Sequence, residues 1–216
     1  GGEGEIWYIE GNEEMCVKIF HPHRSGQEME EKIRIMQSNP VRVPEGTGLC
    51  WPAGMVRSTR SPPRFMGYLM RRLDTARYSP VHAWYDLPGQ DLKFCLQAAG
   101  RLASVVHAVH SAGHCIGDLR ENNIFFSTSG EICLIDTDSF QITDPVSSKT
   151  WYCRVGTGEY LPPELIAGSF EKQDIDRLFA DRFALAVLIF RFLMQGAHPY
   201  QGRGPLIEDA PTTPDK

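Results

Sequence analysis

The stretch His114–Phe140, "HCIGDLRENNIFFSTSGEICLIDTDSF", holds two acid-bearing polar clusters on either side of an apolar run that breaks at "TSG". Asn123 follows Asp118 by five residues, and Asp136 follows Asn123 by thirteen. "NIFFS" and "EICLID", joined by turn formers, predict two short strands. A carboxylate and an amide at this spacing, on a loop before the first strand, can converge on one metal–phosphate centre. Asp136 closes the second strand, where its carboxylate can join Asn123 on Mg²⁺. Each residue alone is an ordinary loop carboxylate or turn amide. The three together, around two strands, point to phosphoryl chemistry.

Working outward, "DLKFCLQAAGRLASVVHAVHSAG" carries Leu92, Leu96, Ala99, Leu102, Val106 and Val109 at spacings of three and four, with Gly113 as a stop. That period predicts a long helix. Towards the N-terminus, "GEIWYIE" and "MCVKIF" around "GNEE" predict a hairpin. "SGQEMEEKIRIMQSNP" predicts a helix capped by Ser25, with Met29, Ile33 and Met36 at helical spacing. "LCWPAGMVRS" and "RFMGYLMRRL" predict two more strands, and "DTARYSPVHAWYDLPGQ" a loop without a clear period. Beyond the opening stretch, "FALAVLIFRFLM" (183–194) is an apolar run interrupted by Arg191, too short to span a bilayer, and predicts a buried helix. The order is strand-rich and then mostly helical, with a boundary near residues 73–78.

The 216 residues suffice for one full core or two small lobes sharing a cleft. With 42% apolar and 23% charged residues the chain is an ordinary soluble globular type, and a net charge of −5 argues against nucleic-acid binding as the main activity. No signal peptide is expected at the start. The six cysteines are scattered, with no C-x-x-C pair, which predicts buried reduced thiols and a reducing, cytoplasmic compartment rather than zinc or disulfides.

The pattern D-L-x-x-x-N followed thirteen residues on by D-x-x resembles the catalytic and metal-binding loops of protein kinases. The resemblance implies that Asp118 orients and deprotonates the acceptor hydroxyl, that Asn123 and Asp136 hold Mg²⁺ (or Mn²⁺), and that Arg120 stands where a Lys usually touches the transferring phosphate. "GGEGEIW" matches the end of a kinase glycine loop, with Gly1, Gly4 and Ile6 in the last two glycine positions and the Val position, and Gly2 between. Glycines there let backbone N–H groups approach phosphate. "CVKIF" fits the strand bearing the phosphate-contacting lysine, Lys18. Its helical partner would be Glu30 or Glu31; Glu30 is preferred because it shares a face with Ile33 and Gln37 and lies ten residues before Pro40. "GYLMRRL" would be the hinge, with Met70 as gatekeeper and the Arg71–Leu73 backbone meeting the adenine of ATP. "GTGEYLPPEL" resembles the G-T-x-x-Y-x-A-P-E segment. "DRFALAVLIF" resembles the helix whose Asp, here Asp181, braces the catalytic loop.

The implied fold is α+β and bilobal. A small β-rich N-lobe over 1–73 would lack its first strand, and a mostly helical, shortened C-lobe would occupy 74–216. The implied activity is Mg·ATP-dependent Ser/Thr protein phosphorylation, Ser/Thr because "DLRENN" lacks the Ala-Arg pattern of tyrosine kinases and Thr157 fills the "GT" step. "IDTDSFQI", "PPEL" and the segment through "HPYQG" are similar to a bacterial group of eukaryotic-like Ser/Thr kinases. That group often carries a helix-hairpin-helix segment and is encoded beside a PP2C-type phosphatase and a von Willebrand factor A-like protein, which become expected partners besides ATP and a protein substrate.

Two departures qualify this. Ile116-Gly117 replaces the usual His-Arg, so activity should not depend on activation-loop phosphorylation through that Arg. Asp136-Thr137-Asp138 replaces Asp-Phe-Gly, which makes the usual switch of that loop doubtful and leaves Asp138 as a metal-site helper or a helix cap. Gly before the catalytic Asp and a D-x-D motif also occur in small-molecule phosphotransferases of the aminoglycoside or choline type, but "GTGEYLPPEL" favours a peptide-binding floor. A nucleotide-binding scaffold, a pseudokinase, is the other alternative; Lys18, Asp118, Asn123 and Asp136 are all present against it.

Overall fold

The computed structural model describes residues 3–85, 91–166 and 177–201. The architecture is α+β. Strands β1 (Gly4–Ile9) and β2 (Asn12–Phe20) form the expected hairpin, turning at Gly11 in the left-handed region, φ 74°. Helix α1 (Gln27–Ser38) follows, then β3 (Thr47–Leu49), β4 (Pro52–Arg57) and β5 (Phe65–Arg71). The first sheet is antiparallel in the order β1-β2-β5-β4 and carries Lys18 opposite Tyr68. At Gly67 the backbones of β5 and β2 approach so closely that a Cβ would sit 1.8 Å from the Lys18 carbonyl oxygen. Only glycine permits that approach.

Helix α1 is set against this sheet by Lys32, Ile33 and Met36, the buried face, and by Trp51, whose Nε1 donates to the Met36 carbonyl at 2.8 Å. Its N-cap is Gly26, with no side-chain cap; the expected cap, Ser25, instead donates to the Pro22 carbonyl in the preceding turn.

A short strand β6 (Tyr78–Pro80) and a helical turn α2 (Val81–Trp84) lie where a loop was expected. Three- and four-residue elements are too short to show a period. Trp84 is buried among Phe94, Phe126 and Phe192, which explains why this turn is held. Helix α3 (Leu92–Ser111) is the long helix of the sequence reading, capped by Asp91 accepting from the Phe94 amide at 2.7 Å and ended by Gly113 at φ 79°. Its buried face, including Leu102, Val105 and Val109, packs against α5 (Arg177–Leu193). Strands β7 (Ile124–Ser127) and β8 (Ile132–Leu134) form with β3 and β6 a second sheet, β3-β8-β7-β6, in which β3 and β8 run parallel. The pair β9 (Ile142–Thr143) and β10 (Thr150–Trp151), the turn α4 (Pro163–Ile166) and three 3-10 turns (Glu121–Asn123, Thr137–Ser139 and Gly158–Tyr160) complete the described elements. All six cysteines are buried and free; Cys50 and Cys133 approach to 3.9 Å between sulfurs without a bond. Among the described residues no helix is long and apolar enough to cross a membrane.

Two buried histidines set an acid limit on this fold. His114 stacks on Trp51 and its Nδ1 accepts from the Thr143 amide. His198 Nε2 donates to the Glu159 carbonyl at 2.9 Å while its Nδ1 accepts from the Tyr200 amide, a pattern only neutral imidazole supports. Burial pushes both below the ordinary histidine range. In that sense the unfolded chain binds more protons, so stability is full above about pH 6.5 and falls as pH drops below it. Thermal unfolding should give a lower midpoint at pH 5.5 than at pH 7.5, with a flatter pH dependence in His114→Phe.

Candidate active site

The site lies in a cleft of ≈ 510 Å³ between the first sheet and the loops flanking β7 and β8. Its wall includes Gly4, Ile6, Lys18, Met70, Arg71 and Leu73 from the sheet side and Arg120, Asn123 and Asp136 from the loops. The structure therefore brings these residues, read from distant parts of the sequence, around one space. Gly1 and Gly2 lie outside the described residues. Gly4 opens β1 rather than sitting in a free loop, and a Cβ there would meet the Ile19 carbonyl oxygen at 2.4 Å, so its smallness serves the hairpin as well as the cleft. Phe125 and Ile135 add apolar wall that the sequence reading did not single out.

The Asp118 loop is held from below. Asp181, buried on α5, accepts from the Ile116 and Gly117 amides at 2.7 Å each and contacts His110 Nε2 at 2.9 Å. Glu121 is also buried, in an ion pair with Arg191 at 2.7 Å and accepting from Tyr85 Oη at 2.5 Å. This second tie between loop and α5 was not read from the sequence. Its signal was Arg191 itself, a charge inside an apolar helix that demands a buried partner.

With the loop so anchored, Asp118 reaches three groups. Its Oδ1 accepts from Thr157 Oγ1 at 2.9 Å, its Oδ2 faces Arg120 Nε at 3.1 Å, and Asn123 Nδ2 donates to its backbone carbonyl at 3.0 Å. The Asn123 amide nitrogen is thereby spent within the loop, which leaves Oδ1 as the acceptor of that side chain. Asp136 stands in the left-handed region, φ 57°, ψ 37°, a conformation that Asp tolerates better than most residues.

Gly117, at φ 79°, explains one departure. A Cβ there would lie 2.4 Å from Cys153 Sγ, so the segment after β10 packs directly where a larger side chain would stand. Gly117→Ala combines left-handed strain with this clash and should cost about 1–3 kcal/mol in denaturant unfolding, reduced when Cys153→Gly is added.

The expected Lys18–Glu30 pair does not form. Glu30 pairs with Arg57 and Glu31 with Lys149, both towards solvent. The side chain that α1 buries towards the site is Lys32, whose Nζ donates to the Asp138 carbonyl at 2.6 Å. Lys18 Nζ instead donates to Asp136 Oδ1 at 2.7 Å and to both oxygens of Asp138 at 2.8 Å. Burial pulls the Lys18 ammonium down, but the two carboxylates outweigh it and leave it above the ordinary lysine range, firmly charged. Asp138 also accepts from Tyr68 Oη at 2.7 Å. Its oxygens are thus engaged by Lys18 and Tyr68 and do not cap the turn that follows Asp136. Thr137 is buried too, with its Oγ1 donating to the Cys50 carbonyl at 2.8 Å.

A strand-borne lysine paired with Asp136 on one cleft with a braced Asp-x-x-x-x-Asn loop is the arrangement expected of a bilobal α+β kinase fold. No family model matches the chain. It is 31% identical over 219 residues to protein kinase YegI of Escherichia coli strain K12, an alignment covering 97% of this chain and 32% of the relative. The Aurora kinase of Dictyostelium discoideum is 32% identical over half of this chain and 24% of its own length. Serine/threonine-protein kinase 1 of Heliothis zea nuclear polyhedrosis virus is 31% identical over 51% of this chain and 37% of its own. The chain spans about a third of the length of the YegI relatives it matches. With fold, site and similarity in agreement, the chain belongs to the protein kinase superfamily.

Proposed function

We propose that the chain transfers the γ-phosphate of Mg·ATP to Ser or Thr hydroxyls of protein. The observation that carries the reading is the convergence on Asp118 of Thr157, from the segment that resembles a peptide-binding floor, and Arg120, from the catalytic loop. In this reading Lys18 holds the phosphates, and Met70 with the Arg71–Leu73 backbone receives the adenine. Asn123 Oδ1 and Asp136 hold Mg²⁺; a carboxylate and an amide oxygen are a hard donor set of the kind Mg²⁺ accepts, with phosphate oxygens and water completing the shell. When bound, that ion would neutralise phosphate charge. Asp118 takes the acceptor proton as the hydroxyl oxygen bonds to γ-phosphorus and the bond to the bridging oxygen breaks, releasing ADP. Arg120, beside Asp118, offers positive charge to the transferring group.

The thiols, all buried and unbridged, support a reducing compartment, so the reading includes a cytoplasmic setting. By resemblance it also includes a PP2C-type phosphatase and a von Willebrand factor A-like protein as partners. The test is incubation with γ-labelled ATP, Mg²⁺ and a generic protein substrate, followed by hydrolysis to phosphoamino acids, with Asp136→Asn in parallel. The expected result is phosphoserine or phosphothreonine from the wild type and a loss of about 10²-fold or more in Asp136→Asn. Label on a small-molecule alcohol instead would favour the aminoglycoside or choline type, and nucleotide binding without transfer would favour a scaffold.

A further inference from the structure

A lysine that must present its ammonium to phosphate needs an anion that stays with it when the nucleotide arrives. Lys18 has two carboxylates to choose from, and they differ. The Asp136 side chain is 38% exposed, faces the cleft and is the carboxylate available to a metal ion. The Asp138 side chain has no exposed surface and accepts three hydrogen bonds, two from Lys18 and one from the buried Tyr68 hydroxyl. Burial and the Asp138 charge hold that hydroxyl well above the ordinary tyrosine range, so it remains a donor. A buried carboxylate with its acceptor sites so filled has nowhere else to go.

Helix α1 offers no carboxylate here. Of its acids, Glu28 is exposed and Glu30 and Glu31 are claimed by Arg57 and Lys149, and the polar side chain it buries is Lys32, whose amine burial pulls below the ordinary lysine range. Lys32 grips the same loop by the Asp138 backbone, which leaves the Asp138 side chain to Lys18.

We propose that Asp138 is the fixed counter-ion that positions Lys18 for phosphate contact, in place of a helical carboxylate, and that Lys32 of α1 clamps the metal loop that carries it. The arrangement between helix and lysine is changed: the anion travels with the metal ligand two residues away, and the helix contributes a hydrogen-bond donor, Lys32. Lysine alignment then depends on the metal loop and not on an acid of α1. The inference rests on the proposed function for what Lys18 touches, but its main readout, nucleotide affinity, does not require turnover.

The experiment is titration of the full chain with Mg·ATP, with phosphoryl transfer followed in the same samples, for the wild type, Asp138→Asn, Lys18→Met, the double variant, and Glu30→Gln/Glu31→Gln. Asp138→Asn should weaken nucleotide affinity about tenfold or more, and Glu30→Gln/Glu31→Gln should stay within about threefold of wild type. In the Lys18→Met background, Asp138→Asn should add nothing, because its effect passes through Lys18; a merely structural role would give additive losses. Additive losses, or a tenfold loss in Glu30→Gln/Glu31→Gln, would overturn the proposal. Should Asp138→Asn fail to fold, the Glu30→Gln/Glu31→Gln variant decides alone, by the same limits. If the wild type binds Mg·ATP but transfers nothing, the proposed function fails while the affinity series still decides this inference.

Discussion

Asp118→Asn should lower phosphoryl transfer by about 10²–10⁴-fold while leaving Mg·ATP affinity within a few fold of wild type. The geometry separates the two effects. Asp118 holds Asn123 chiefly through its backbone carbonyl, which the substitution keeps, while its carboxylate oxygens meet Thr157 and Arg120. An Asn side chain fills the same space and keeps an acceptor for the Thr157 hydroxyl, so the loop keeps its shape. It cannot take the acceptor proton, and the neutral amide gives Arg120 no charge to lean on. The measurement is steady-state kinetics with protein substrate beside nucleotide titration of the same sample. A parallel loss in both would mean that Asp118 shapes the cleft rather than the transfer step.

Asp181→Ala should carry the largest structural effect. That carboxylate is buried on α5 and accepts from two consecutive amides of the Asp118 loop, with His110 on its outer side. Alanine leaves both amides buried without this acceptor and removes two bonds that tie the loop's entry to the helix. Breaking a buried, multiply bonded charge of this kind costs about 3–5 kcal/mol. For a chain of this size that corresponds to a fall of about 6–20 °C in Tm. Asp181→Asn keeps one acceptor oxygen and should fall between wild type and alanine. A Tm within a degree or two of wild type in Asp181→Ala would show that Glu121 and Arg191 hold the loop unaided.

Much of this was legible in the primary structure, for reasons that can be named. Helices α3 and α5 bury one long apolar face each, and a face that long leaves an unmistakable period. That Asn123 and Asp136 line one cleft could be read because loop, strand, turn and strand leave little freedom in where the two ends meet. The partner of Lys18 could not be read. The reading placed Glu30 on a face with Ile33 and Gln37, but Gln37 is exposed, and the buried face runs Lys32, Ile33, Met36. A buried lysine in a helix is rare enough that pattern reasoning assigns it to solvent. The partners of Asp138 could not be read for the complementary reason, since Lys18, Lys32 and Tyr68 lie more than sixty residues away along the chain. Glu121 with Arg191 is the same case: a charge in an apolar run announces that a partner exists without saying where.

The most direct test of the central claim, that this cleft carries out phosphoryl transfer to protein, is a single-turnover reaction. Enzyme in excess over γ-labelled ATP, with a protein acceptor, is compared with and without Mg²⁺. The account predicts Mg²⁺-dependent movement of the label onto Ser or Thr, complete within one turnover. Nucleotide bound tightly in the presence of Mg²⁺, with the label still on ATP or released only to water, would contradict it.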